Sequence, residues 1–261
     1  MMSLLYTLDD AHRWAAFSGD YNPVHFDEAW VKTQGGTALS VHGMRALLDI
    51  KRAISPAVDS APFLRCTARL RRPLLHDTTY ILTHEGAKKG AAVITDVLAG
   101  HVFLSCQLTP ETRFPTATTE SRCLLDNPTL VALQEKFRPL LPTAQQWHFL
   151  DALLFRHLIQ DDSLLRQDAI AAMLPHCASF ASLLSRYPVV QTHQEVVFDS
   201  QLLAPWREDA LPVSLEIHTL PALLVGDLQH GAIVRIVAQT RYQHHDISSA
   251  ITLKVGPTAA Q

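Results

Sequence analysis

Between Ser18 and His25 the chain reads Ser18-Gly19-Asp20-Tyr21-Asn22-Pro23-Val24-His25, a turn-rich stretch with several polar side chains. Asp20 and His25 are the two groups here whose types suit proton transfer. A carboxylate beside an imidazole supplies both a donor and an acceptor, and their surroundings decide which gives and which takes. Pro23 biases Asn22 toward an extended backbone and stiffens the middle of the run, while Gly19 permits angles that a β-carbon forbids. A stiff, sharply turned mount of this kind can face Asp20 and His25 toward a common point. Taken singly, Asp20 reads as a turn cap and His25 as a surface or core histidine. Their shared register with Asn22 singles them out.

A second group lies downstream, at His42-Gly43-Met44. This tripeptide opens a helix whose apolar positions are Met44, Leu47, Leu48, Ile50, Ala53 and Ile54. Amide groups in a first helical turn have no intrahelical partner, and the helix dipole adds roughly half a positive charge there. A carbonyl that turns enolate-like would be stabilised by the Gly43 amide, and glycine lets it come close. An acid/base pair plus such an oxyanion site is what dehydration beside a thioester carbonyl requires. His42 either packs beneath that site, caps the helix or contacts substrate. Ser40 lacks the strained turn of a hydrolase nucleophile.

The elements that must position these groups follow from periodicity and turn signals. Residues 8–17 read as a short helix, residues 27–32 as another, and residues from 42 onward as a third. After Pro56 the pattern changes to strands at 63–70, 78–84, 91–98 and 102–108. Residues 111–129, rich in Thr, Pro, Arg and Ser, read as a linker or an extended crossover. Helices follow at 130–136, 145–159, 169–174 and 177–186, then strands at 195–203, 213–218, 233–242 and 247–255. Helices then strands, twice, is an α+β order with a mostly antiparallel sheet. The halves share element order and no obvious residue identity.

The run Ser18-Gly19-Asp20, Asn22-Pro23, His25 and Asp27, followed by His42-Gly43-Met44, resembles the signature of MaoC-like dehydratases and R-specific enoyl-CoA hydratases. The stretch Phe63-Leu64-Arg65 through Pro73 to Thr78 is also similar to the strand and turn that follow the helix in that family. The resemblance covers about residues 10–110 and implies a hot-dog fold, in which an antiparallel sheet wraps a central helix. For the whole chain it implies a double hot-dog, with residues 1–110 carrying the site and residues 130–261 forming a degenerate copy. It implies that Asp20 and His25 are the catalytic pair acting on water, and that Asn22, Gly43 and His42 contact substrate. It further implies interconversion of 2-enoyl and (R)-3-hydroxyacyl thioesters, carried on coenzyme A or acyl carrier protein, with no cofactor. Arg45, Asp49 and Lys51 depart from the small residues usual on the family's central helix, and either reshape the pocket or face solvent.

Composition bounds the remaining possibilities. In 261 residues, 48% are hydrophobic and 18% charged, which suits a globular protein rather than a disordered one. A net charge of -3 gives no general attraction to nucleic acid or anionic lipid. The 14 histidines show no metal-ligand spacing, so no metal site is expected. Cys66, Cys106, Cys123 and Cys177 form no CxxC pair, and Asp9, Asp10 and His12 interrupt any early apolar run. A cytoplasmic protein with no membrane span is the expectation, either monomeric or a homodimer. Lys88-Lys89 reads as a solvated hairpin turn, and His244-His245-Asp246 as a turn between the last two strands, because neighbouring strand residues point to opposite faces. Two other activities fit part of the pattern: an acyl thioesterase, which needs one carboxylate, and a non-catalytic acyl-binding subunit, which needs neither proton-transfer group.

Overall fold

The computed structural model describes residues 1–256 except 87–89, 175–176, 178, 208–210 and 228, so the Lys88-Lys89 turn lies outside the described residues. The first half runs β1 (Met2–Leu5), α1 (Leu8–Ser18), a 3-10 turn (Pro23–His25), α2 (Glu28–Thr33) and α3 (Gly43–Ile54). It continues with β2 (Phe63–Leu70), β3 (Thr79–His84), β4 (Ala91–Asp96) and β5 (Val102–Glu111). Thr7 caps α1 by accepting the Asp10 amide, and the Asp10 carboxylate accepts the Thr7 amide in return. Gly19, at φ 77°, turns the chain out of α1. Along α3, Met44, Ala46, Leu47, Leu48 and Ile50 are all within 1% of full burial. That helix stops just before Pro56, whose ring forbids a further turn. Strand β2 alternates inward Leu64, Cys66 and Ala68 with outward Arg65, Thr67 and Arg69, as a sheet with one covered face requires.

The second half runs β6 (Ser121–Asp126), α4 (Asn127–Phe137), α5 (Gln146–Gln160), a 3-10 turn (Asp162–Arg166), α6 (Asp168–Met173) and α7 (Phe180–Arg186). After these come β7 (Val189–Asp199), a 3-10 turn (Ser200–Leu203), β8 (Ser214–Thr219), β9 (Leu223–Asp227), β10 (Gly231–Tyr242) and β11 (His245–Val255). All pairings of the 11-stranded sheet are antiparallel, in the order β1-β3-β4-β5-β2-β7-β11-β10-β8-β6, with β9 paired to β10. The order is a mirror about the β2–β7 junction, where Phe63 pairs with Asp199 and Arg69 with His193. On one side β2, β4 and β5 pack on α3; on the other β10 and β11 pack on α5. The architecture is a double hot-dog of the α+β class.

Several boundaries differ from the sequence reading. Within 111–129, read as a linker, Ser121–Asp126 forms β6 and pairs with β8. It is an edge strand with no fully buried residue and with Leu124 exposed, so it carries no apolar alternation to find. β1 and β9 were missed for the same reason, being short strands with a single neighbour. β7 starts at Val189 rather than 195. The reversal after Tyr242 is made by Gln243 and His244, both at positive φ, as a tight two-residue hairpin requires. His245 then faces Asp199 while Asp246 faces Arg241, so the three polar residues diverge.

The charges on α3 neither line a pocket nor face solvent. Arg45 pairs with Asp49, which also accepts the Tyr6 hydroxyl. Lys51 is fully buried where the halves meet, with its ammonium 2.5 Å from Asp151 of α5 and 2.6 Å from the Gln194 side-chain oxygen of β7. Gln194 and Ser249 each donate to the other Asp151 oxygen at 2.8 Å. A buried pair survives only when its remaining lone pairs and protons are met in this way.

Candidate active site

The segment between α1 and α2 is shaped by its own side chains. Ser18 Oγ accepts the Asp20 amide at 3.1 Å, and an Asp20 carboxylate oxygen accepts the Asn22 amide at 3.3 Å. Asn22 in turn accepts the Val24 amide and caps the 3-10 turn that ends at His25. Asp20 thus does serve as a turn cap, through one carboxylate oxygen. Asn22 is buried and supports the loop.

His25 is held from outside the segment. Its Nδ1 donates to the Ser40 carbonyl at 2.7 Å, which leaves the lone pair of the neutral ring on Nε2. Ser40 is itself fixed by a bridge to Leu75, in the turn that leads from β2 to β3. His42 Nε2 donates to the backbone carbonyl of Asp20 at 3.0 Å, and its Nδ1 is buried without a hydrogen-bond partner. The two imidazoles stack face to face, 3.6 Å between centroids and 26° between planes. A carboxylate oxygen of Asp20 and one nitrogen from each ring lie within 4.8 Å of one another.

Burial pushes the His25 pKa down, opposed by the Asp20 charge and the Ser40 carbonyl. His42 lies well below its ordinary value, first through burial and then through the neighbouring His25 ring. Both rings are therefore neutral at neutral pH. Asp20, His25 and His42 also have the side-chain types of a metal site.

Gly43 opens α3, and His42 contributes no side-chain cap to that helix. A β-carbon on Gly43 would overlap the Leu70 methyl at the end of β2, so any larger residue where the helix and strand approach would require the Leu70 side chain to shift. The amide thus sits at the positive end of a helix dipole next to the imidazole pair.

One neighbour went unassigned in the sequence reading. His76 has both ring nitrogens buried and unpartnered, and it lowers the pKa of both His25 and His42. Its amide donates to the Leu39 carbonyl, which brings the β2–β3 turn against the segment before α3. Position 76 stands far from either motif group in the chain, so only its place in the Pro73–Thr78 phrase could have signalled it.

No family model matches the sequence, and no curated protein matches it. Among solved structures, one described as a MaoC-like dehydratase is similar at a TM-score of 0.48 and 11% identity, covering 98% of this chain and 96% of its own. A conserved hypothetical protein from Mycobacterium tuberculosis, described as having a double hot-dog fold, is similar at 0.46 and 11% identity, covering 97% and 93%. An acyl-CoA thioesterase II from Mycobacterium marinum is similar at 0.40 and 11% identity, covering 85% and 90%.

Proposed function

We propose that this chain is a hydro-lyase that interconverts 2-enoyl and (R)-3-hydroxyacyl thioesters without a cofactor. The observation that carries this reading is the convergence of Asp20 and His25, beside the uncapped first turn of α3 at Gly43. In the hydration direction His25 Nε2, with Asp20, takes a proton from water as the oxygen bonds to C3. The carbonyl oxygen gains charge and accepts the Gly43 amide, and the Asp20/His25 pair then passes the proton it took from water to C2, which completes the addition and regenerates the pair. Dehydration is the reverse: C2 loses a proton and the departing hydroxyl is protonated. Asn22 keeps the loop in register and His42 holds the Asp20 backbone from below.

The carrier of the acyl group is anionic in this reading, either coenzyme A or acyl carrier protein. Arg69, Arg71 and Arg72, exposed at the end of β2 beside Leu70, form no ion pair among the described residues and suit such a carrier. The setting in this reading is the cytoplasm, where the facing thiols of Cys66 and Cys106 stay reduced. Among the described residues no helix is long and apolar enough to cross a membrane.

The test is a spectrophotometric hydration assay with crotonyl to longer enoyl thioesters on both carriers. Asp20→Asn and His25→Ala should each lower turnover by about two to four orders of magnitude. Folded variants with undiminished turnover would remove the mechanism. Release of free thiol from saturated acyl thioesters would replace it with a thioesterase, and tight acyl binding without turnover by a binding subunit.

A further inference from the structure

Helix α5 belongs to the half that lacks the motif, yet its last turn lies against the motif segment. Arg156 Nη1 donates to the Phe17 carbonyl at 2.7 Å. That carbonyl stands in the final turn of α1, at the negative end of the helix dipole, and α1 has no basic residue of its own in that turn. Burial lowers the Arg156 pKa, opposed by nearby Tyr21, but a guanidinium keeps its charge at neutral pH. One turn further along α5, Gln160 closes on Gly19 so tightly that any β-carbon there would overlap its amide. The rings agree with the polar contacts: Phe17 packs on Phe149 and Trp14 on Phe155, both from α5.

Asp20 follows Gly19 directly, and its carbonyl is the acceptor that fixes His42. A line of contacts therefore runs from Arg156 through Phe17, Gly19 and Asp20 to the imidazole stack. We infer that Arg156 is a positioning residue, through which the motif-free half sets the Asp20 turn and the His42 ring. The kinetic part of this inference rests on the hydro-lyase reading; the structural part does not. Loss of the guanidinium removes the hydrogen bond that fixes the Phe17 carbonyl and leaves the ring contacts in place, so the turn that follows α1 can shift; a displacement of about an ångström at a reacting group can cost about a hundredfold in rate.

The experiment compares Arg156→Ala, Arg156→Gln and Arg156→Lys in the full chain, with two readouts. The first is the His42 Nε2–H resonance in protein labelled with 15N-histidine, assigned by its loss in His42→Gln. It should be sharp in the parent and in Arg156→Lys, and should broaden by solvent exchange in Arg156→Ala and Arg156→Gln. The second is enoyl-thioester hydration, where Arg156→Ala should lower kcat by about a hundredfold at unchanged KM, with Arg156→Lys recovering most of it. An unchanged His42 resonance in folded Arg156→Ala or Arg156→Gln protein overturns the inference. So does a rise in KM alone, or a kcat loss that Arg156→Lys does not relieve. If the parent has no hydration activity, the hydro-lyase reading fails while the His42 resonance still decides the positioning role. Should Arg156→Ala not fold, Arg156→Gln and Arg156→Lys give the same comparison.

Discussion

Replacing Lys51 with Met is the sharpest perturbation of this fold. The side chain keeps its length and apolar stem while the ammonium disappears. Asp151 then retains two donors, from Gln194 and Ser249, but no opposite charge within the buried cluster. Leaving one member of a buried pair without its partner costs about 3–5 kcal/mol. At roughly 2–4 °C of melting temperature per kcal/mol for chains near this size, the loss is roughly 6–20 °C.

A further measurement separates this cause from simple loss of packing. Urea unfolding of Lys51→Met, Asp151→Asn and the double variant forms a thermodynamic cycle. Removing both charges should recover part of the single losses, with a coupling of roughly 2–3 kcal/mol. A Lys51→Met loss below about 1 kcal/mol, or single losses that add within about 0.5 kcal/mol, refutes the reasoning.

The remaining predictions concern the imidazoles and the helix start. His25, His42 and His148 all have folded pKa values below the ordinary one, that of His148 pushed down to about 3 chiefly by burial and then by Lys51. Their contribution to stability is complete above about pH 6.5, the unfolded value, and is lost as pH falls through the folded ones. The urea midpoint should therefore drop between pH 7 and pH 5, above the carboxylate range, and a flat midpoint there contradicts the assignment. Gly43→Ala should cost about 1–3 kcal/mol through overlap with Leu70, and Leu70→Ala in the same chain should return much of it. Additive losses in that pair would show the two residues to be independent.

Much of this site could be read in the sequence because its key contacts are local. Ser18, Asp20 and Asn22 cap amides no more than two positions away, and such turns announce themselves by residue type. The start of α3 was equally plain, since an apolar helix stripe follows Gly43 at once. What stayed hidden depends on chain brought in from elsewhere. The acceptor for His25 is the Ser40 carbonyl, a backbone group with no residue signature. The stacking of His25 on His42, and the approach of His76, follow from how the β2–β3 turn docks against residues 39–41. Lys51 was hidden for a related reason: a lysine on a core helix reads as a residue that reshapes the pocket or faces solvent until its carboxylate, 100 positions away, is placed beside it.

The mirrored sheet order makes α5 the counterpart of α3 and α4 the counterpart of α1, which raises the question of why only one half carries the motif. Between α1 and α3 lie residues 19–42, carrying the turn, both proton-transfer groups and α2; between α4 and α5 lie only residues 138–145. The motif has not been altered in the second half, because the stretch that would bear it is missing. The start of α5 is also closed where that of α3 is open. His148 Nδ1 accepts the Gln145 amide, and the Gln145 side chain accepts the Trp147 indole while donating to the Pro56 carbonyl. The Gln146 amide, which stands at the start of α5 as that of Gly43 does at the start of α3, donates to the Ala204 carbonyl at 2.9 Å and is not presented to a substrate carbonyl. The second half instead contributes Asp151 to hold Lys51, and Arg156 and Gln160 to brace the first half's turn. Without such a loop of its own, the second half's central helix packs directly against the first half's turn.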